Sequence, residues 1–426
     1  MLANLLKADI SELARHFEQL ATMNDTPEVD AGMTRPVYGR AWQRAEVYLA
    51  DEMEKLGLAV HRDAVGNLYG ELSGSQAELA PVWTGSHIDS VPHGGCYDGV
   101  AGILAGLEAA RLLRASGKIY PRTLSVNVYA GEEMSRFGVC CIGSRALAGK
   151  LTEEDLKNSK DPETGDTLRG AMEAAGIETK QYAVDFAKRP KVYASLELHI
   201  EQGKRLEQAG VPIGIVTGIC APTNFYVNVC GTQGHAGGVP MDCRRDACMA
   251  ACEMVLELER LARTARGEYL TATVGRIETF PGTPSVIPGQ VRFSVDIRAI
   301  KESDKARFAD AFRRAAEEIA VRRGVHVDFS EPSDDLPVHC DDDLQHLLAE
   351  KSKDLGYPSM PLISGPYHDS LFLHAFSPVA MLFVPSKGGI SHDKHEHTNI
   401  EDIAKGTDVL ASSLDALLSR TGVMER

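Results

Sequence analysis

Imidazole and carboxylate side chains follow four apolar segments of this chain, each at a point where a strand would end. The segments are VWTGS, TLSVNVYA, VYASL and VAMLFV, and the side chains that follow them are His87, Asp98, Glu132, Glu133, His199 and His392. In an open α/β sheet, ligands bind at the carboxyl ends of the strands. A mixture of imidazole and carboxylate suits a first-row divalent ion. The sequence therefore predicts a metal site where these strand ends meet.

The number of ligands favours two ions. Five ligands exceed the set that one tetrahedral zinc ion takes, and they fit two ions about 3.5–4 Å apart that share one carboxylate. Asp98 is the natural bridge, which leaves Glu132 free to act as general base on a water molecule. Asp89 comes two residues after His87, and we expect it to orient that imidazole.

Each signal also has an ordinary structural explanation. Asp98 precedes a predicted helix and is a favoured N-cap residue. The glutamate pair could be solvated in a loop, and His199 could be a satisfied core histidine. His395 and His397 lie in the charged stretch DKHEHT and are predicted to be surface residues. The metal hypothesis depends on all the signals occurring together.

The middle of the chain adds two residues that could act on a substrate. His235 lies in the glycine-rich sequence GTQGHAGG, where it could serve as an oxyanion donor. Arg298 ends the alternating sequence VRFSVDIR and could pair with a substrate carboxylate through two hydrogen bonds. The alternatives are an exposed histidine in a turn and a surface ion pair between Arg298 and Asp296.

Strand and helix signals predict the elements that position these residues. They alternate through residues 1–212 and return in 331–426, which predicts a split, doubly wound α/β domain. Residues 213–330 instead predict the order β-α-β-β-α-β of a ferredoxin-like module, with a helix over 241–266 and a strand over 269–280. We therefore expect a smaller domain inserted into the α/β domain.

Composition excludes several classes of protein. The chain has 426 residues, of which 43% are hydrophobic, and a formal net charge of −15. A core of this size excludes a disordered chain, and the acidic balance argues against nucleic acid as a partner. No run of about 18 apolar residues predicts a membrane helix, and the first residues do not resemble a signal peptide. Nine cysteines without a CxxC spacing favour reduced thiols in the cytoplasm.

The order of the motifs resembles that of one superfamily over nearly the whole chain. The motifs are GSHIDS, GGCYDG, GEEMSRFG, GSRALAG, ELHIEQG, GTQGHAG, VIPGQVRFSVDIR, SGPYHDS and VPSKGGISH. With them the sequence resembles the di-zinc aminoacylase/carboxypeptidase-G-type metallohydrolases. Within that superfamily it is similar to the hydantoinase/carbamoylase branch, which includes N-carbamoyl-L-amino-acid hydrolases, β-ureidopropionases, and allantoate and ureidoglycolate amidohydrolases.

The resemblance implies a role for each matching ligand. Asp98 would bridge two divalent ions, with Zn²⁺ expected first and Mn²⁺, Co²⁺ or Ni²⁺ as alternatives. Glu133 and His392 would complete one site, and His87 and His199 the other.

The resemblance also implies roles for residues around the metals. Glu132 would be the general base, His235 would polarise the scissile carbonyl, and Arg298 would hold the substrate carboxylate. Gln202 would be a polar neighbour near the site. Members of this family are usually homodimers through the inserted domain, which also forms a lid.

The departures from the family pattern concern the substrate pocket. Ser285 stands where many relatives have an asparagine that helps to hold the substrate carboxylate, and Pro284 stiffens that loop. Cys96 and the pair Gly237–Gly238 also differ from common family residues. Hydrolysis is therefore predicted more firmly than the substrate.

The leading hypothesis is cleavage of a carbamoyl (ureido) amide beside a carboxylate, which releases an amine, ammonia and carbon dioxide. The alternative on the same scaffold is an aminoacylase or dipeptidase. A metal-loaded binding protein without turnover is a third class, but the presence of Glu132 argues against it because a binding protein needs no base.

Overall fold

The computed structural model describes residues 6–26, 28, 30–330 and 333–422. The chain forms two compact units. The first unit runs through Thr217 and includes Cys340–Leu362 and the chain from His368 onward. The second unit comprises Gly218–His339 and Ile363–Tyr367. Among the described residues, no helix combines the length and the apolar character needed to cross a membrane.

The elements alternate along the chain. The first part contains α1 (Ile10–Ala21), α2 (Arg40–Lys55), β1 (Ala59–Arg62), β2 (Leu68–Leu72), β3 (Val82–His87), α3 (Val100–Ala115), β4 (Leu124–Tyr129), α4 (Ile142–Leu147), α5 (Glu153–Asn158), α6 (Leu168–Ala174), α7 (Tyr182–Asp185), β5 (Ala194–Ile200), α8 (Arg205–Ala209) and β6 (Ile213–Ile219). The middle contains β7 (Ala221–Cys230), β8 (Gly234–His235), α9 (Ala247–Thr264), β9 (Leu270–Thr273), β10 (Ile277–Phe280), β11 (Val286–Ile287), β12 (Gln290–Ala299), α10 (Glu302–Arg323), β13 (His326–Phe329), β14 (Ser333–Asp334) and β15 (Val338–His339). The last part contains α11 (Asp342–Asp354), β16 (Ser359–Ser364), α12 (Ser370–Leu373), β17 (Val379–Val384) and α13 (Ile400–Leu418).

The first unit is built on a mixed sheet, which confirms the prediction of an α/β fold. Its strand order is β1-β2-β4-β3-β5-β17-β6. The central strands β4, β3, β5 and β17 are parallel neighbours, whereas β1, β2 and β6 pair antiparallel. The four parallel strands are buried along their whole length, as is usual for parallel strands. Their carboxyl ends lie at one edge of the sheet.

The second unit contains an antiparallel sheet with strand order β10-β12-β7-β13. Its main elements follow the chain order β-α-β-β-α-β. Helices α9 and α10 pack with this sheet around one apolar core, whose largest members include Phe225, Phe293, Phe312, Met254 and Ile319.

Two predicted elements of the second unit differ from the structure. The helix predicted over 241–266 begins only at Ala247, because Asp246 accepts hydrogen bonds from the N–H groups of the first turn and caps it there. The strand predicted over 269–280 is divided into β9 and β10, which both pair with β12. Between them the Ser294 side chain accepts the hydrogen bond of the Arg276 N–H, which interrupts the ladder.

The polar composition of residues 157–191, with its Asp-Pro and Thr-Gly turn signals, predicts a surface loop with one short helix, and this prediction is wrong. The structure contains α6 and α7 there, together with the end of α5. Thr152 forms a capping box with Asp155 at the start of α5, and Thr167 caps α6. Such caps stabilise short helices that their polar composition does not predict.

Helix α3 lies so close to β5 that one of its positions tolerates only glycine. A Cβ atom on Gly102 would lie 2.3 Å from the carbonyl oxygen of Leu198. We expect Gly102→Ala to lower the free energy of unfolding by about 1–3 kcal/mol, because α3 must move away from the strand. Equilibrium unfolding in urea measures this change. Gly106→Ala is the matched control on α3, since its nearest neighbour is a Thr84 side-chain methyl at 3.2 Å, and a smaller loss is expected. Equal stabilities of wild type and Gly102→Ala would contradict the packing argument.

Candidate metal centre

Two histidines and one aspartate meet at the ends of β3 and β5. His87 is the last residue of β3, His199 lies near the end of β5, and Asp98 precedes α3. The Asp98 Oδ1 atom is 3.1 Å from His199 Nε2 and 3.6 Å from His87 Nε2. All three side chains are buried. Because their ligand atoms lie within 4.8 Å of one another, one cation could bind all three.

The other oxygen of Asp98 faces a second group of ligands. Asp98 Oδ2 is 3.3 Å from His392 Nε2, which is also 3.3 Å from Glu133 Oε1. The ligand atoms of these three residues again lie within 4.8 Å of one another. Asp98 is therefore shared by two groups that could each hold a metal ion. This is the arrangement of a bridging carboxylate.

Backbone contacts orient the imidazoles. His87 Nδ1 is 3.1 Å from the carbonyl oxygen of Asp89, and His199 Nδ1 is 2.9 Å from that of Ile200. A proton on Nδ1 that is donated to a carbonyl leaves the Nε2 lone pair available to a metal. In both residues, Nε2 is the atom that faces Asp98.

Asp89 mainly fixes the glutamate pair. Its two carboxylate oxygens accept hydrogen bonds from the backbone N–H groups of Glu132 (3.2 Å) and Glu133 (2.9 Å). Its carboxylate is 3.6 Å from His87 Nδ1, so the contact with the imidazole predicted from sequence comes chiefly from the Asp89 carbonyl. Asp89 thus connects the loop after β3 to the loop after β4.

The buried Glu132 carboxylate has weak neighbours. One oxygen is 3.9 Å from His87 Nε2, and the other is 3.9 Å from the Cys141 thiol. A thiol is a weak hydrogen-bond donor. The carboxylate of Glu132 therefore keeps lone pairs available for a proton from another molecule.

A further layer of polar groups surrounds Asp98. Gln202 Nε2 donates a 2.8 Å hydrogen bond to Asp98 Oδ2, and the Ser391 hydroxyl lies 3.1 Å from the same atom. Gln202 and His392 have φ angles of 54° and 56°, a region that residues other than glycine adopt uncommonly and often at functional sites. Gln202 is the polar neighbour that the sequence predicted.

Glu396 is a site residue that the sequence analysis missed. The stretch DKHEHT was expected to be solvated, and His395 is indeed exposed. Glu396 is instead buried, and its Oε1 atom accepts hydrogen bonds from the backbone N–H groups of Tyr97 and Asp98. His397 is half-buried against the ring of Tyr97.

The charged groups of this cluster shift one another's pKa values. Burial by itself would raise the pKa of Asp98, but hydrogen bonds with His199, His392 and His87 hold that pKa well below its usual range. Contacts with Asp98 and Glu133 raise the pKa of His392 to about 11. A cation at His392 would therefore compete with a proton for the imidazole.

Burial raises the pKa of Glu132 well above its usual value, against the opposing effect of His87 and with the added effect of the Glu133 charge. Burial also raises the pKa of Glu133. Carboxylates that are crowded and buried in this way are unfavourable without a compensating positive charge.

The donor set fits two divalent ions. Four carboxylates, those of Asp89, Asp98, Glu132 and Glu133, are buried with His87 and His199, and the exposed His392 completes the second group. The buried Oε1 atom of Gln202 has no hydrogen-bond partner among the described residues. Carboxylate and imidazole are ligands that first-row divalent ions accept. A pair of cations would supply the missing positive charge.

A third group of possible ligands lies beneath this centre. Glu197, His199 and His368 are buried, and their ligand atoms lie within 4.8 Å of one another. However, Glu197 already accepts hydrogen bonds from the hydroxyls of Ser86 and Ser370. We therefore interpret this group as structural support for the metal centre. Its member His368 belongs to the motif SGPYHDS.

The residues predicted to contact substrate lie in the second unit. His235 is exposed on β8, which pairs with β11 beside the exposed Ser285. The Gly237 N–H donates a 3.1 Å hydrogen bond to His235 Nδ1. Arg298 lies on β12, where Asp296 accepts two of its hydrogen bonds at 2.9 and 3.1 Å. The Asp296 carboxylate therefore forms the predicted surface pair and orients the guanidinium of Arg298, whose Nη1 also donates to the Gly365 carbonyl at 3.3 Å.

The fold and this donor set define a metal-dependent hydrolase, and comparison with known proteins identifies its family. Residues 83–416 match the model of peptidase family M20/M25/M40. Ureidoglycolate hydrolase of Arabidopsis thaliana is 37% identical over 98% of this chain and 88% of its own length. The N-carbamoyl-L-amino acid amidohydrolase of Geobacillus stearothermophilus is 38% identical over 89% of this chain and 92% of its own. The crystal structure of AtUAH in complex with (S)-hydroxyglycine has a TM-score of 0.88 and 34% identity, and the match covers 99% of this chain and 100% of that one.

The chain belongs to peptidase family M20/M25/M40. Within it, the protein is a metal-dependent amidohydrolase of the hydantoinase/carbamoylase branch, a hydrolase of C–N bonds. The resemblance predicted from the sequence motifs is confirmed.

Adjacent glutamates allow a matched test of the ligand assignment. Glu133 belongs to a ligand group, whereas Glu132 belongs to neither group that shares Asp98. We expect Glu133→Gln to lower the number of Zn²⁺ ions bound per chain, because the amide supplies no anionic ligand. Glu132→Gln should keep the wild-type number. Elemental analysis after dialysis measures both, and the opposite pattern would show that the two roles are exchanged.

Proposed function

We propose that this amidohydrolase cleaves the carbamoyl C–N bond of a small ureido compound that also bears a carboxylate, such as an N-carbamoyl-L-amino acid. The observation that carries the proposal is the sharing of Asp98 by two ligand groups, with the Glu132 carboxylate 3.9 Å from His87 beside them. The names of the relatives support the choice of ureido chemistry. Their nearly equal identities leave the particular substrate open.

In this proposal, His87, His199 and Asp98 bind one ion, and Asp98, Glu133 and His392 bind the other. Zn²⁺ is the first expectation, with Mn²⁺, Co²⁺ or Ni²⁺ as alternatives. When bound, the ions supply Lewis acidity toward water and toward the scissile carbonyl.

Glu132 is the proposed general base. A buried carboxylate with a raised pKa accepts a proton near neutral pH more readily than an exposed one. Its weak contacts with His87 and Cys141 leave it free to take a proton from water and return it to the departing nitrogen. General-base catalysis typically contributes about 10²–10⁴-fold to the rate.

His235 is the proposed donor to the carbonyl oxygen. Because the Gly237 N–H donates to Nδ1, the neutral imidazole carries its proton on Nε2. That proton can be donated to the negative charge that develops on the substrate oxygen. Arg298 is the proposed partner of the substrate carboxylate, with its guanidinium oriented by Asp296. Ser285 beside His235 would then contact the substrate at a position where relatives use asparagine.

The placement of His235 beside the start of β12 and of Arg298 near its end supports a homodimer. The β8–β11 pair follows the end of β7, where Gln290 pairs with Cys230. Arg298 is eight residues further along β12, which corresponds to about 26 Å at the usual rise of a strand. A small substrate cannot span that distance. We therefore propose that each substrate contacts Arg298 of one subunit and His235 of the other.

The second unit is the proposed lid and dimerisation domain. We expect its movement to bring substrate contacts to the metal centre, with Gly214 and Gly218 of β6 as hinge points. We propose that the inserted domain works as one functional element with the boundaries predicted from the sequence, at 212/213 and 330/331.

A substrate panel tests the proposed reaction. The zinc-loaded protein is assayed for ammonia release from N-carbamoyl amino acids, ureidoglycolate, allantoate and β-ureidopropionate, and for cleavage of N-acetyl amino acids and dipeptides. Ammonia release from at least one ureido acid is expected, and it should fall by about 10²–10⁴-fold in Glu132→Gln. Chelation should abolish turnover, and added Zn²⁺ or Mn²⁺ should restore it. Cleavage of acyl or peptide amides alone would favour the aminoacylase or dipeptidase instead.

Mixed dimers test whether two subunits share one substrate site. His235→Ala and Arg298→Ala should each be inactive as homodimers. When the two variants are unfolded and refolded together, half of the dimers are mixed, and one of the two sites in each mixed dimer is intact. About a quarter of the wild-type activity should then return. If both residues served the site of their own subunit, no mixed dimer would have an intact site and no activity would return.

A further inference from the structure

A buried carboxylate outside the proposed ligand set binds the backbone of the bridging aspartate. Glu396 is only 5% exposed. Its Oε1 atom accepts hydrogen bonds from the N–H groups of Tyr97 (2.9 Å) and Asp98 (3.1 Å). A Cβ atom on Gly95 would lie 2.1 Å from that oxygen, so the loop before Asp98 can close around Glu396 only with glycine at this position. Glu396 thus joins the loop before Asp98 to the loop that carries His392.

The hydroxyl of Ser391 lies between Glu396 and Asp98. Its Oγ atom is 2.7 Å from Glu396 Oε2 and 3.1 Å from Asp98 Oδ2. A serine hydroxyl has one proton, so it can donate to only one of these carboxylates at a time. The shorter distance favours donation to Glu396.

Gln202 limits what Asp98 Oδ2 can still accept. Its side-chain amide donates a 2.8 Å hydrogen bond to that oxygen. Since a carboxylate oxygen offers about two lone-pair sites, one site remains. A second donor from Ser391 would fill it, whereas a hydroxyl directed at Glu396 leaves it open on the side that faces His392.

We propose that Glu396 is a positioning residue of the metal centre. It fixes the backbone at Asp98 and takes the hydroxyl proton of Ser391, so that Asp98 Oδ2 keeps a lone pair for the ion that it shares with His392. This inference rests on the proposed ligand role of Asp98 and extends it to two residues that lie outside both ligand groups.

Glu396→Gln changes the direction of the Ser391 proton with little change in shape. The glutamine carbonyl must face the Tyr97 and Asp98 N–H groups, so its NH₂ group faces Ser391 and donates to it. The Ser391 hydroxyl then donates its hydrogen bond to Asp98 Oδ2 instead. We expect the affinity for one of the two Zn²⁺ ions to fall by about 10–100-fold, the usual range for residues behind metal ligands.

The measurement uses metal-free protein and Zn²⁺ alone, in competition with a chelator of known affinity. Circular dichroism and urea unfolding of the metal-free protein verify that the variant is folded. Glu401→Gln is the matched control, because it removes an exposed carboxylate from the first turn of α13. Its Zn²⁺ affinity should equal that of wild type. An unchanged Zn²⁺ affinity in Glu396→Gln would overturn the proposal.

Ser391→Ala distinguishes proton direction from simple support. In the Glu396→Gln background it removes the misdirected donor, so most of the lost Zn²⁺ affinity should return. If Glu396 were only structural, the double variant would bind Zn²⁺ no better than Glu396→Gln, and the proposal would fail.

Ser391→Ala alone should leave Zn²⁺ affinity unchanged, and a loss of about tenfold or more would overturn the proposal even if Glu396→Gln did not fold. None of these titrations contains substrate. The absence of ureido hydrolysis would therefore contradict the proposed function and leave this inference standing. A wild-type chain that binds no Zn²⁺ would contradict the ligand roles themselves.

Discussion

The buried carboxylate of Asp98 imposes the main constraint on the first unit. Its two oxygens face different groups, with His199 and His87 on one side and His392 on the other. Such a group is stable in the interior only if each oxygen has partners. These partners come from the ends of β3 and β5 and from the loop after β17, and the parallel strands bring them together because their carboxyl ends share one edge. The parallel arrangement of these strands therefore also assembles the partners that the buried Asp98 carboxylate requires.

A second layer of buried acids lies behind the ligands. Asp89 holds the loop of the glutamate pair through its N–H groups. Deeper in the unit, Glu197 accepts from Ser86 and Ser370, and Asp369 accepts from Ser144. Burial raises the pKa of Asp369 to about 8, and the nearby Glu197 charge adds to the effect. Cations at the strand ends would therefore favour the ionised form of these buried acids.

The sequence predicts the α/β class and the convergence of the strand ends because both follow from local apolar patterns. A strand of six apolar residues indicates burial on its own, and the residue after it is then placed by topology alone.

Glu396 is a residue whose position such local patterns do not predict. Its partners Tyr97 and Asp98 are nearly 300 residues away in the sequence, and a glutamate between two histidines has the local composition of a solvated loop. Likewise, α9 begins where the single residue Asp246 caps it. Hydrophobic periodicity predicts that a helix is present, but it does not predict the residue at which the helix begins. The catalytic and substrate roles stay predictions because they depend on groups that a strand pattern does not place.

The two units carry different kinds of constraint, and this difference explains why the chemistry is easier to assign than the substrate. His87, His199 and Asp98 in the first unit are buried and each has a further hydrogen bond, so exchange of their chemical type would leave a buried polar group without a partner. His235 lies on β8 and Ser285 directly precedes β11, and both side chains are exposed, so they can change without such a penalty. Substitutions there therefore cost little in folding stability. Under the proposed function, a change at Ser285 can therefore alter the choice of ureido acid while the buried ligands of the metal centre stay the same.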